Sequence, residues 1–194
     1  MRLFMLTMRR VAYWGSVAAT LLLLCGPAAS AAAQDGPSEG VTPAANSFVY
    51  LPLVVRDYSA LPPFVAQVIA LTNQERTSRG IAPLAVHMTL VSVGQNHSQD
   101  MAIHDFFSHT NLSGQAPWDR MTAAGYLWTA AAENIAAGYS TPADVMAGWM
   151  GSSGHRANIL DPNLEEIGVG YYFHSPDTGS VNYTHYWTQV FGSR

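Results

Sequence analysis

The chain has 194 residues, room for one domain of ordinary size with additional segments. Its formal charge is −4, with thirteen acids against nine basic residues, all of them arginine. Such a surface repels phosphate backbones and argues against a nucleic-acid partner, while a single cysteine, Cys25, excludes a disulfide framework within the chain.

The first 33 residues read as a secretory signal peptide. Arg2, Arg9 and Arg10 lead an apolar run from Val11 to Leu24, and Ala31, Ala32 and Ala33 supply the small residues of a cleavage site. The run falls short of the about 20 residues of a membrane span; an uncleaved anchor is the alternative. Leu24 fits a lipoprotein cleavage site before Cys25 poorly. Cleavage after Ala33 removes Cys25 and three arginines, which leaves six arginines, thirteen acids and a net charge of −7. No later segment is apolar enough to cross a membrane.

Residues 34–63 contain Pro37, Pro43, Pro52, Pro62 and Pro63 among small residues and read as a linker. Within it, "SFVYLPLVVRDY" is apolar and β-prone, a short strand or a docking segment, although Pro52 argues against a central strand. The domain proper is expected over 64–194. Its first helix places Val65, Val68, Ile69 and Thr72 on one stripe and ends near Gly80. A second helix is predicted from about Met88 to His104, and a short third in "APWDRMTAAG" before Gly125. A fourth begins with Thr141 as cap, Pro142 at its first position and Asp144 three residues past the cap.

The period then changes to two. Ile167, Val169, Tyr171 and Phe173 alternate with Gly168, Gly170, Tyr172 and His174, "SPDTGS" turns the chain, and "VNYTHYWTQVFG" returns. This is a C-terminal β-hairpin. Helices first and strands last, with apolar residues on both strand faces, predict an α+β domain whose sheet lies between helical layers.

Three short pieces could carry chemistry. In "MGSSGHRANIL", Gly151 and Ser153 begin a G-x-S-x-G pattern, but His155 stands where the last glycine belongs and a helix precedes it, which argues against a serine nucleophile. No H-E-x-x-H is present. His97, Met101 and His104 share a helical face, a pattern that suits a core histidine bonded to a carbonyl; His87, His174 and His185 have weaker claims. His109 in "FFSHTNLSG", Glu133 in "AAENIAAG" and His155 each sit beside small or turn-forming residues, as at an element boundary facing a cleft. Two imidazoles and a carboxylate could bind zinc with one position open for water, or serve as acid and base without metal. The plainer alternative is that Glu133 bonds backbone donors and His155 caps a helix.

The ordered pieces "LTNQERTSRGIAPL", "HSQDMAIHDFFSH", "AAENIAAG", "GWMGSSGHRANIL", "IGVGYYF" and "YWTQVFG" resemble the bacterial branch of the CAP superfamily, also called SCP-like extracellular proteins. The resemblance covers roughly Phe64 to Phe191 and implies a three-layer α–β–α sandwich with a central cleft. It also places two histidines of the family's cleft on His109 and His155 and one glutamate on Glu133. A second glutamate, three residues after a tryptophan, falls on Ser152, counted from Trp149. Ser152 offers no carboxylate, and its loss weakens the case for zinc and for proteolysis. Arg156 and Asn158 are expected to fasten the turn that delivers His155, and Asn134 the one beside Glu133.

Three functions follow as expectations. The first is a secreted, monomeric binding module for a lipid, a peptide or an envelope component. The second is a zinc-dependent hydrolase using His109, Glu133 and His155. The third is a structural envelope protein. Phe106, Phe107, Trp118, Tyr126, Trp128, Tyr139, Tyr171 and Tyr172 could line a groove, unless most of them are core.

Overall fold

In the computed structural model, residues 58–194 are described. The expected signal peptide and most of the linker, including the apolar stretch up to residue 57, lie outside them.

Two prolines set the entry to the first helix, α1 (Pro63–Thr77): Pro62 is its N-cap and Pro63 its first residue, where a missing N–H costs no hydrogen bond. Its predicted stripe of Val65, Val68, Ile69 and Thr72 is buried, and Gly80 follows at a φ of 73°, a conformation suited to glycine. Strand β1 (Ala85–Val86) leads into α2 (Met88–Ile103), then α3 (Pro117–Ala123) and β2 (Ala130–Ala137). Helix α4 (Pro142–Gly151) starts as its sequence predicts, with the Thr141 hydroxyl accepting from the Asp144 N–H at 3.2 Å. One residue, Ser152, separates it from α5 (Ser153–Leu160), and β3 (Glu166–Phe173) and β4 (His185–Ser193) form the expected hairpin.

The sheet order is β1-β3-β4-β2, with β1 parallel to β3 and the other pairs antiparallel. Period two assigns the faces. Ile167, Val169, Trp187 and Phe191 join Val68, Ile69, Val145, Trp149 and Ile159 in one core, against α1, α4 and α5. On the opposite face, Val190 packs with Leu90, Val93 and Met121, and Tyr186 with Met101 and Phe106, from α2, α3 and the loop between them. The α–β–α sandwich is therefore a sheet with two separate apolar cores.

Gly168 and Gly170 explain the alternation in β3. A Cβ on Gly168 would overlap the backbone of Leu90 and Val91, and one on Gly170 that of Gly94 and Gln95. Helix α2 thus lies directly on the strand, backbone against backbone.

Strand β2 is the last strand on its side of the sheet. Its Asn134 side chain enters a buried polar chain: Asn134 Nδ2 donates to Gln189 Oε1 at 3.0 Å, and Gln189 Nε2 to Thr72 Oγ1 at 2.7 Å. That bond explains a threonine on the apolar stripe of α1. The carbonyls of Glu133 and Ile135, two residues apart, accept from Asn158 Nδ2 at 3.3 Å and Trp149 Nε1 at 3.2 Å. Arg76, 1% exposed, donates to the carbonyls of Ala82, Ile159, Asp161 and Leu164 and so pins the end of α5.

Candidate functional site

Glu133 lies in the middle of β2 rather than at an element boundary, paired in register with Val190. "AAENIAA" contains one β-branched residue, so it reads as loop until β4 is there to pair with it. Alternation sends Glu133 toward α3 and Asn134 toward α5. The Glu133 side chain is 1% exposed, and both its oxygens are taken: Oε1 accepts from His109 Nδ1 at 2.8 Å and Oε2 from Arg120 Nη2 at 2.6 Å.

Arg120, on α3, was not singled out by its sequence context. Its Nη1 donates to the carbonyls of His109 at 2.7 Å and Gln115 at 3.0 Å, so one guanidinium ties the α2–α3 loop to the strand. The one cue is scarcity: a carboxylate among alanines needs a cation, and only six arginines follow Ala33. His109 projects from that loop with its side chain 49% exposed. Because the carboxylate can only accept, Nδ1 carries a proton in this bond.

His155 approaches from the other helical layer. It belongs to the first turn of α5, which begins at Ser153, so the turn before it is Ser152 alone rather than the longer segment expected. Asn134 Nδ2 donates to the His155 carbonyl at 3.1 Å, Asn158 Nδ2 to Asn134 Oδ1 at 2.9 Å, and Arg156 Nη1 to the Met150 carbonyl at 2.9 Å. Arg156 and Asn158 thus act at the turn before α5 as expected, whereas Asn134, expected to fasten a turn beside Glu133, lies in mid-strand and bonds α5 instead. Burial, and then the charge of His109, hold the His155 pKa below its usual value, so the two imidazoles are electrostatic neighbours. Ser152 is half-buried at the α5 N-cap position, and its side chain makes no cap bond.

The expected zinc set does not fit this arrangement. Glu133 is bonded to Nδ1 of the His109 ring and to Arg120, so it supports the ring rather than standing beside it as a ligand, and Ser152 offers no carboxylate. Among the described residues no group of three or more His, Cys, Asp or Glu side chains could hold a metal ion. What the site does offer is two imidazoles, one with its Nδ1 proton held by a buried carboxylate.

The other histidines have local partners. His97, 1% exposed, is hydrogen-bonded through Nε2 to the Ser108 carbonyl at 2.9 Å, the core role its helical position predicts. His104 bonds Asp100, His185 shares a 2.8 Å bond with the Tyr171 hydroxyl, and His87 caps α2. Of the eight aromatics proposed for a groove, Phe106 and Tyr126 are core, Tyr171 and Tyr172 are half-buried, and Phe107, Trp118, Trp128 and Tyr139 are exposed.

Comparison with known proteins follows the same outline. The model of the cysteine-rich secretory protein (CAP) family matches residues 69–191. The protein YkwD of Bacillus subtilis is 40% identical over 133 residues, 69% of this chain and 48% of its own length. The membrane protein YlbC of the same organism is 33% identical over 104 residues, 54% of this chain and 30% of its own. The chain thus spans less than half the length of these relatives. An extracellular protein with an SCP domain from Bacillus anthracis superposes with a TM-score of 0.59 at 30% identity, covering 67% of this chain and 40% of that one. An outer surface protein of Borrelia burgdorferi, 18% identical, has the same fold at a TM-score of 0.59, over 66% of this chain and 90% of its own.

Proposed function

The chain belongs to the cysteine-rich secretory protein (CAP) family, and from that premise we propose that it is an exported binding module whose cleft recognises its ligand through His109 and His155 without a metal. The observation that supports this is the pairing of both Glu133 oxygens with His109 and Arg120. With Oε1 on His109 and Oε2 on Arg120, the carboxylate orients the His109 ring and neutralises a guanidinium. As a zinc ligand or as the base for a water, that carboxylate would compete with its own bonds to His109 and Arg120.

The cleft's own chemistry is recognition. His109, its Nδ1–H held by Glu133, supplies one imidazole, and His155, held neutral by burial, adds a second from the opposite layer. Polar groups of a lipid headgroup, a peptide or an envelope component would meet these rings outside the cell. Export rests on the arginine-led apolar run of the first 33 residues and on relatives described as extracellular or outer-surface proteins.

Zinc calorimetry tests the reading, with the full chain beside His155→Ala and Glu133→Ala. We expect no stoichiometric binding tighter than about 1 mM. Binding near about 1 μM that both substitutions abolish would instead make the cleft a metallohydrolase centre.

A further inference from the structure

Two neighbouring residues of β2 carry both halves of the site, and period two points their side chains to opposite faces of the sheet. On the α3 side, Glu133 Oε1 accepts from His109 Nδ1. Arg120, bonded to Glu133 Oε2, also donates to the His109 carbonyl, so His109 is held by ring and backbone together. On the α5 side, Asn134 Nδ2 donates to the His155 carbonyl at 3.1 Å. One turn further along α5, Asn158 Nδ2 reaches Asn134 Oδ1 at 2.9 Å and the Glu133 carbonyl at 3.3 Å.

The two ends of α5 are held differently. Its last turn is fixed by Arg76, which donates to the Ile159 and Asp161 carbonyls. Its start follows a one-residue connection, Ser152, whose side chain makes no cap bond, and Arg156 ties it to α4 rather than to the sheet. Without the bonds to β2, the turn that carries His155 could move with α4. Asn134 is fully buried, and its amide has no unused capacity: Nδ2 donates to Gln189 Oε1 and to the His155 carbonyl, and Oδ1 accepts from Asn158. Its orientation is set from across the core. The Thr72 hydroxyl donates to the Val68 carbonyl at 2.8 Å and accepts from Gln189 Nε2, which turns Gln189 Oε1 toward Asn134. Asn134 therefore meets the His155 carbonyl with an N–H.

We propose that Asn134 is a positioning residue of the cleft, which holds the His155 segment to the same short piece of β2 on which Glu133 holds His109, and so fixes the separation of the two imidazoles. A ligand that touches both rings then meets a set spacing, given by adjacent residues of one strand. This role rests on the reading of the two rings as recognition groups.

The test is a double-mutant cycle read by NMR on the full chain without ligand, following the His155 Hε1 signal against pH. Because no ligand is present, a failure here is distinct from a failure of the zinc calorimetry. His109→Gln, whose amide can still donate to Glu133, should raise the His155 midpoint, since the charge of His109 helps to hold it down. In Asn134→Leu that response should be lost, because His155 no longer keeps its place beside His109. Thr188→Val removes a buried 2.9 Å bond from Ser98 and controls for lost stability; there the response should persist. Should Asn134→Leu not fold, Asn158→Ala decides: it cuts the other two bonds from a half-buried side chain, and should leave a smaller response than the native background shows. Three results overturn the proposal: no response to His109→Gln in the native background, an undiminished response in the folded Asn134 or Asn158 variant, or an equal loss in Thr188→Val.

Discussion

Glu133 is flanked along its strand by alanines, and its charge is viable there because a guanidinium and an imidazole N–H meet it directly. Removing the guanidinium leaves a buried carboxylate uncompensated, so Arg120→Ala should cost about 3 kcal/mol in urea unfolding. Arg120→Lys keeps the charge but not the fork, and should recover only part of that loss. Glu133→Ala should release the His109 tautomer. At a pH high enough to leave the ring neutral, ¹⁵N shifts of the native protein should report a protonated Nδ1 and a bare Nε2; in the variant they should report a mixture of tautomers. Equal spectra would mean that Glu133 does not orient the ring. His109, Glu133 and His155 are legible in the sequence because ionisable groups among small residues are conspicuous. Arg120 is not, since "DRM" on a short helix gives no sign of the strand it reaches.

At the scale of elements, helices α1, α2 and α4 follow from apolar stripes and caps, which are local signals. Strand β2 does not. Its alanines have little strand preference, and the strand exists through eight residues in register with β4. Pairing partners are set by tertiary structure, so the polarity of "AAENIAA" reads equally well as a turn. The two glycines of β3 carry the opposite lesson. Their alternation is visible in the sequence, but what they make room for, the backbone of α2, is not. Gly170→Ala should therefore destabilise the domain by about 3 kcal/mol, more than a strand glycine lacking such a neighbour, as checked by chemical denaturation. Wild-type stability in that variant would mean that α2 can move away from the sheet at little cost.

The whole molecule should respond to acid in one direction. His97, His155 and His185 all have pKa values lowered by burial, with the charge of His109 adding to the effect at His155. The unfolded chain takes up protons at the ordinary value of about 6.5, while the folded one resists until lower pH. Their contribution is therefore complete above about pH 6.5 and is lost as pH falls through the folded values. Melting temperature should drop between pH 7.5 and 5.5, and less steeply in His97→Gln, whose amide can still donate to the Ser108 carbonyl. An unchanged melting temperature would contradict the burial of these rings.

Strand β2 ends the sheet on its side, and the carbonyls of Glu133 and Ile135 that face away from β4 are already bonded to Asn158 and Trp149. A neighbouring molecule seeking to extend the sheet there would have to displace both side chains. The helices α4 and α5 thus also close the β-edge against fibre-like growth, a safeguard for a small domain that no disulfide holds.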